Sequence, residues 1–203
     1  NKIIITKDDI RIKQKEDKNQ RVIIFVVDAS GTLALGRLAE TKGAIEILLS
    51  EAYSKRDLVS LIAFRGKKAE ILLPPTKSLV QTKKKLASLP GGGTTPLASA
   101  LFSTLELTKK VKSKGLFPTF ILLTDGKGNI SLDGEVDKEK SKVETKKLCE
   151  LLIFEKIPSI LIDTSIRPKK ESKELSELLS STYIFLPKAN SHSLSKIISK
   201  ELG

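Results

Sequence analysis

The sequence predicts an α/β fold: a doubly wound, mostly parallel sheet of six strands, with one antiparallel edge strand and helices on both faces. The first observation is the run VIIFVV at residues 22–27. It has no polar alternation, which is typical of a central strand buried on both faces of a parallel sheet. The second is that further apolar runs alternate with segments of helical periodicity, which is the pattern of α/β domains with right-handed crossovers.

The individual elements follow from periodicity and turn residues. The predicted strands are residues 22–27, 58–64, 69–73, 117–124, 157–162 and 183–186. The predicted helices, whose apolar residues recur at helical spacing, are residues 33–54, 79–89, 97–111, 141–156, 172–179 and 191–202. Only a short turn containing Gly66 separates the second strand from the third, so we expect the third to be antiparallel and at an edge. We expect Pro74 and Pro75 to end it, and Pro96 suits the first turn of the next long helix.

Length and composition predict one domain. Residues 21–203 form it, and residues 1–20, with one short apolar patch and a polar run, are predicted to be an edge strand or a linker from a preceding module. No stretch approaches about 18 consecutive apolar residues, so no membrane span is expected. The sequence has no Met and begins at Asn1, so we expect it to be a piece of a longer protein.

Charge and cysteine content limit the classes of function. The formal net charge is +12, but the lysines are scattered and aromatic residues make up only 4%, so nucleic acid is not the expected partner. The charge could instead dock an acidic partner or an acidic part of the same polypeptide. Cys149 is the only cysteine, which excludes an internal disulfide and suits a reducing compartment such as the cytoplasm.

Three oxygen-bearing side chains follow the first predicted strand: Asp28, Ser30 and Thr32. In open α/β sheets, ligands bind beyond the carboxyl ends of the strands. Oxygen-only ligand sets suit Mg²⁺ or Ca²⁺ better than Zn²⁺. An Asp and a Ser after a strand are equally typical of a helix N-cap, so this stretch alone leaves both interpretations open.

A second polar cluster completes the candidate site. Three glycines at residues 91–93 allow close approach of the backbone to a ligand and precede the hydroxyls of Thr94 and Thr95, while Asp125 follows the strand at 117–124. Two parallel strands that each end at an aspartate place Asp28 and Asp125 at one edge of the sheet. Two carboxylates would neutralise a dication, and neutral hydroxyls would leave it electrophilic. The sequence therefore predicts a Mg²⁺ site that an acidic residue of a partner protein completes.

Other kinds of site are not supported by the spacing. The motifs GxxxxGK[ST] and GxGxxG are absent, so no nucleotide cradle is expected. A calcium loop starting at Asp125 would place Ile130 where glycine is required. A haloacid-dehalogenase-type phosphatase needs an acid where Ser30 stands, and the hydrolase motif GxSxG is absent. No catalytic residue is predicted, and His192 is assigned a surface or capping role.

The set D-x-S-x-T, then a Thr in a glycine loop, then TDG resembles the metal-ion-dependent adhesion site of von Willebrand factor A, or integrin I, domains. The resemblance covers residues 21–202. It implies that Ser30, Thr32 and Thr95 bind the metal directly, while Asp28 and Asp125 bind directly or through water. Thr95 is preferred to its neighbour Thr94 because the family commonly spaces this threonine six residues before a Leu, here Leu101.

Longer phrases resemble the C-terminal domains of the D-subunit family of magnesium chelatases: FVVDASGT, RLAETKGAIEILLSEAY, RDLVSLIAFRG, AEILLPPTKSL, LPGGGTTPLASAL and LLTDGKGNISLDG. The resemblance implies a scaffold, with an inactive AAA+ module and an acidic proline-rich linker, in the ATP-dependent complex that inserts Mg²⁺ into protoporphyrin IX for (bacterio)chlorophyll and photosynthesis.

The partners implied by this resemblance are the I-type AAA+ subunit, the H-type porphyrin-binding subunit and the acidic linker of the same chain, with ATP bound only by other modules. Lys127, Gly128 and Asn129 stand where the family usually has Arg-Ala-Asn, so a bidentate Arg contact is not expected there. The alternative is an adhesion domain of an unrelated protein, including an extracellular one.

Overall fold

The computed structural model describes residues 20–30 and 34–186, with only the backbone for residues 34–42 and 44. Its six strands are β1 (Arg21–Asp28), β2 (Leu58–Arg65), β3 (Lys68–Thr76), β4 (Phe117–Thr124), β5 (Ser159–Asp163) and β6 (Thr182–Phe185). They form one sheet in the order β3-β2-β1-β4-β5-β6. All neighbouring pairs are parallel except β2 and β3, which are antiparallel at the edge. The predicted fold class is therefore confirmed.

In the part of the chain that the structure describes, five helices connect the strands: α1 (Ala34–Ser54), α2 (Leu79–Ala87), α3 (Leu97–Ser113), α4 (Lys138–Phe154) and α5 (Lys170–Leu178). The start of α4 is fixed by Asp137, whose side chain accepts a hydrogen bond from the Lys140 N–H. This capping satisfies one of the free N–H groups of the first turn. Ser78 caps α2 in the same way, accepting from the Gln81 N–H.

The central strand β1 is buried on both faces, as its unbroken apolar run predicts. Ile23, Phe25 and Val27 pack on one side with the apolar residues of α1 and α2. The alternate residues Val22, Ile24 and Val26 pack on the other side with α3, α4 and α5. The strand therefore contributes to two cores at once, which holds its carboxyl end at a fixed position between two helical layers.

Several element boundaries differ from the prediction, among them those of β3, α4 and β5. β3 does not end at the two prolines but runs through Pro74 and Pro75 to Thr76, with shifts of register against β2. It is an edge strand, where a residue without an N–H is tolerated. α4 begins three residues before Ser141 because Asp137 caps it. β5 begins after Pro158, where the prediction had placed it two residues earlier.

Some predictions fall outside the described residues, namely the role of residues 1–19 and the closing helix at 191–202, which contains His192. The division at residue 20 stays a prediction. Within 20–30 and 34–186, no helix combines the length and the apolar character that crossing a membrane requires. Cys149 is fully buried in the core, and burial raises the pKa of its thiol to about 12.

Candidate metal site at the carboxyl edge of the sheet

The order of the strands creates a crevice at the carboxyl ends of β1 and β4. From β1 the chain moves to one side of the sheet to form β2 and β3, and β4 then returns to the other side of β1. Such a switch point is where open α/β sheets bind ligands. Asp28 is the last residue of β1 and Thr124 the last of β4, so both side chains lie at this crevice.

Asp28, Ser30 and Thr95 form a continuous chain of contacts. The Ser30 hydroxyl donates to Asp28 Oδ1 at 2.5 Å, and the Ser30 N–H donates to the same oxygen at 2.9 Å. The hydroxyl oxygens of Ser30 and Thr95 are 2.6 Å apart. Because the single hydroxyl hydrogen of Ser30 goes to Asp28, Thr95 is the donor of that second bond. The structure thus brings together three of the five predicted ligands, from two loops that are 65 residues apart.

The other oxygen of Asp28 reaches β4. Asp28 Oδ2 accepts a hydrogen bond from the Thr124 hydroxyl at 3.0 Å, and the Thr124 oxygen in turn accepts from the Gly126 N–H at 3.2 Å. Burial raises the pKa of Asp28 from 3.8 to about 6, in spite of the hydrogen bonds from Ser30 and Thr124, and the nearby charge of Asp125 adds to the rise. Among the described residues, no Lys or Arg forms an ion pair with Asp28.

The glycine loop brings Thr95, rather than Thr94, to this site. Gly92 and Gly93 both have positive φ, +107° and +101°, which glycine adopts without strain. The Gly92 N–H donates to the Ala29 carbonyl at 2.8 Å and so attaches the loop to the end of β1. The Thr94 hydroxyl turns away and donates to the Gly66 carbonyl at 2.6 Å. Of the two adjacent hydroxyls, only that of Thr95 contacts Ser30.

Asn129 fixes the backbone of Thr95. The Asn129 side-chain oxygen accepts a hydrogen bond from the Thr95 N–H at 2.8 Å, and the Asn129 N–H donates to the Thr95 carbonyl at 3.1 Å. The loop after β4 and the glycine loop are therefore joined by two hydrogen bonds. Neighbouring Lys127 has an exposed side chain, and its backbone N–H donates to Asp125 Oδ1 at 3.2 Å.

Asp125, the second predicted carboxylate, already has a cationic partner. Lys169 Nζ lies 2.6 Å from Asp125 Oδ2. The following residue, Gly126, has φ +79°, and a Cβ there would lie only 2.4 Å from the Ser172 nitrogen of α5. The Asp125 loop is thus packed tightly against the start of α5. Thr32, the fifth predicted ligand, lies outside the described residues.

Asp163 is a third carboxylate at the end of a strand, and it is buried rather than exposed at the surface. Its side chain is fully buried at the end of β5. Oδ1 accepts from the Ser165 N–H at 2.9 Å and hydroxyl at 2.6 Å, while Oδ2 accepts from the Tyr183 hydroxyl at 2.7 Å. A more distant contact of 3.5 Å joins Oδ2 to the Lys169 N–H. This carboxylate therefore organises the segment that leads from β5 to Lys169, because buried acceptors hold the donors around them in place.

A cavity of about 600 Å³ adjoins the candidate site. It lies between the first half of α4 and the length of α5, and it shares Thr95 with the site. Leu97 and Leu175 provide apolar surface, and the charged side chains that line the cavity include Lys138 and Lys142 of α4 and Glu171 of α5. The site therefore opens onto a groove that has room for side chains of a bound segment.

The donors suit Mg²⁺. Oxygens bound to octahedral Mg²⁺ at 2.0–2.1 Å lie about 2.9 Å apart, so the contacts of 2.5 and 2.6 Å among Asp28, Ser30 and Thr95 would lengthen by only a few tenths of an ångström. A bound cation would also stabilise the ionised form of Asp28, whose pKa is raised and whose carboxylate has two acceptor oxygens. The described part of the chain has no group of three or more His, Cys, Asp or Glu side chains placed to bind a metal, so a metal here would depend on hydroxyl oxygens.

The fold and the arrangement at this edge of the sheet define a class of protein. The chain belongs to the von Willebrand factor type A domain family, whose model matches residues 23–127, more than half of the chain. It is 47% identical over 201 residues to the magnesium-chelatase 60 kDa subunit of Cereibacter sphaeroides, an alignment that covers 99% of this chain and 36% of that protein.

A second relative agrees with the first. The chain is 42% identical to the magnesium-chelatase 67 kDa subunit of Chlorobaculum tepidum, over 95% of this chain and 33% of that protein. The chain thus spans about a third of the length of these relatives. The resemblance to magnesium-chelatase subunits that the motifs indicated is confirmed.

Solved structures support the fold. The von Willebrand factor domain of the type V pili tip protein Mfa5 from Porphyromonas gingivalis has a TM-score of 0.68 to this chain. The two share 11% identity over 89% of this chain and 94% of that one. At this identity the likeness shows the architecture alone.

Sequence reasoning missed three residues at the site: Thr124, Asn129 and Lys169. Thr124 carried a signal, because it is a hydroxyl residue at the end of a buried strand, next to Asp125. Asn129 lies in the segment that corresponds to the family's usual Arg-Ala-Asn, and this correspondence alone assigned it no role. Lys169 carried none, because one lysine among 36 Lys and Arg residues is not distinguished by its neighbours in sequence.

Proposed function

We propose that this chain is the metal-dependent protein-interaction domain of a D-type subunit of magnesium chelatase. The observation that carries the proposal is the chain of contacts Asp28–Ser30–Thr95 at the switch point of the sheet, with Asp125 beside it. The similarity to magnesium-chelatase subunits over almost the whole chain supports this assignment and disfavours an unrelated adhesion protein.

In this proposal Mg²⁺ is held by Ser30, Thr32 and Thr95, with Asp28 and Asp125 bound directly or through water. The ion supplies an electrophilic position at which a carboxylate of a partner protein binds. Two aspartates balance its charge, while hydroxyl ligands add none, so the bound ion keeps its attraction for that carboxylate. Asn129 orients Thr95 and Thr124 orients Asp28, as residues that hydrogen-bond to the ligands do at metal sites.

The domain itself is non-catalytic in this proposal. Its partners are the I-type AAA+ subunit and the H-type porphyrin-binding subunit of the chelatase, together with the acidic linker of its own polypeptide, in the cytoplasm. ATP is bound by other modules of the complex, and the Mg²⁺ inserted into protoporphyrin IX is substrate rather than the ion of this site. The groove beside Thr95 supports the proposal, since it offers surface to residues that flank the partner carboxylate.

The test replaces Asp28 or Asp125 with Ala in the full-length D-type protein. Binding of the I-type AAA+ subunit is measured in Mg²⁺ and in EDTA, together with the rate of Mg²⁺ insertion by the reconstituted complex. We expect both variants to lose Mg²⁺-dependent binding and most of the chelatase rate. Glu150→Ala is the control, since Glu150 is exposed in the second half of α4. Unchanged binding and rate in both aspartate variants would refute the proposal.

A further inference from the structure

We propose that Lys169 is a built-in counter-cation of the candidate metal site, which neutralises Asp125 in the metal-free protein and is displaced when a divalent cation binds. The inference rests on the proposed function, because it concerns the same site. It adds a residue that competes with the metal and so sets the metal affinity of the domain.

The first support is the contact itself. Lys169 Nζ and Asp125 Oδ2 are 2.6 Å apart, a charge-assisted hydrogen bond of short length. The two side chains are 30% and 25% exposed, so the pair is partly shielded from water. By contrast, Lys170 pairs with Glu174 at 3.2 Å, with a side chain that is 86% exposed. Two adjacent lysines thus differ in partner and exposure.

The second support is that the surrounding structure holds Lys169 in this position. Buried Asp163 organises the segment after β5 through Ser165 and through its longer contact with the Lys169 N–H. One turn further on, α5 packs against Gly126 so closely that no side chain fits between them. Lys169 therefore approaches Asp125 from a segment fixed at both ends, which lowers the entropy lost on forming the pair.

The third support is electrostatic. The Asp28 and Asp125 carboxylates lie close together at this edge of the sheet, where their like charges repel each other. The ammonium of Lys169 relieves part of this repulsion, as a divalent cation would. Asp125 Oδ2 cannot keep its contact with Lys169 and also serve a metal without loss, and the two cations repel. Binding of the metal and of Lys169 at Asp125 is therefore mutually unfavourable, and the coupling is reciprocal.

The competing explanation is that Lys169 only orients Asp125 for the metal. The two explanations predict opposite effects of removing the lysine charge. If Lys169 competes, Lys169→Gln tightens metal binding by roughly fivefold, the factor that corresponds to about 1 kcal/mol for one partly exposed ion pair. If Lys169 orients Asp125, the same variant binds metal more weakly.

The experiment is calorimetric titration of the 203-residue chain with Mg²⁺, repeated with Mn²⁺, at low ionic strength. Lys170→Gln is the matched control, because it removes the same charge one residue away. Lys169→Arg keeps the charge and should restore the wild-type affinity. In an Asp125→Asn background, Lys169→Gln should change the affinity no more than Lys170→Gln does, since the carboxylate that the lysine pairs with is gone.

Each outcome of the titration either supports or overturns the inference. Tighter binding in Lys169→Gln with little change in Lys170→Gln supports it, and so does binding that appears only in Lys169→Gln. Equal tightening in both variants overturns it. If the wild type binds Mg²⁺ and Lys169→Gln binds equally or more weakly, the inference is overturned while the proposed function stands. If neither the wild type nor Lys169→Gln binds Mg²⁺ or Mn²⁺, both fall.

Discussion

Asp28→Asn tests whether the ionised Asp28 carboxylate destabilises the folded protein when no cation is bound. The pKa of Asp28 rises from 3.8 to about 6 in the folded protein. At about 1.4 kcal/mol for each pKa unit, ionised Asp28 opposes folding by at most about 3 kcal/mol, less in practice because the side chain is half-buried rather than fully enclosed. Between pH 3.8 and about 6, the Asp28 carboxyl is therefore still protonated in the folded state, whereas in the unfolded state it is ionised.

The contribution of Asp28 to stability falls as the pH rises. Below pH 3.8 the carboxyl is protonated in both states, and the free energy of unfolding contains no penalty from it. Between pH 3.8 and about 6 the unfolded state releases its proton first, so the contribution decreases and then stays low. The neutral variant lacks this decrease. We expect Asp28→Asn to match the wild type near about pH 4 and to exceed it by roughly 1–3 kcal/mol at about pH 7.5 in EDTA.

The assay is urea unfolding followed by circular dichroism, at pH values from about 4 to about 7.5, in EDTA and in Mg²⁺. Saturating Mg²⁺ should stabilise the wild type and leave Asp28→Asn nearly unchanged, because a ligand that binds the native state raises its stability. The reasoning is refuted if the variant is less stable than the wild type at the highest pH in EDTA, or if the difference between them does not depend on pH.

Two further predictions concern stability. Gly126→Ala should lower the free energy of unfolding by more than about 2 kcal/mol, because a Cβ would clash with the Ser172 nitrogen in addition to the strain of positive φ. Gly115→Ala has the same strain but open space, and an equal loss in both variants under urea unfolding would contradict the clash. Ser141→Ala should be neutral or slightly stabilising, since its buried hydroxyl has no hydrogen-bond partner among the described residues, whereas Ser60→Ala should cost about 1–2 kcal/mol because Ser60 donates to a buried carbonyl. Thermal unfolding of both serine variants checks this, and equal melting temperatures would count against it.

The sequence predicted the fold, and the closeness of most of the candidate site residues in space, because both depend on strand ends. An apolar run that stops at Asp28 and another that stops just before Asp125 were enough to place two carboxylates at one edge, since parallel strands align their carboxyl ends. The glycines before Thr95 indicated a loop that approaches closely. These signals are local in the sequence and do not depend on how distant segments pack.

What the sequence could not predict depends on contacts between distant segments. The partner of Asp125 is Lys169, 44 residues away, and no local pattern selects it from other lysines. The buried Asp163 carboxylate depends on hydrogen bonds from the hydroxyls of Ser165 and Tyr183. The prolines of β3 misled the prediction, because a strand at an edge can lose an N–H that a central strand needs.

The paired hydrogen bonds between Thr95 and Asn129 have a practical consequence for protein engineering. Each loop supplies a group that the other needs, so neither has its conformation by itself. To transfer the site to a different scaffold, both loops would have to be moved together. A graft of one loop alone would leave a backbone N–H group and an oxygen without hydrogen-bond partners.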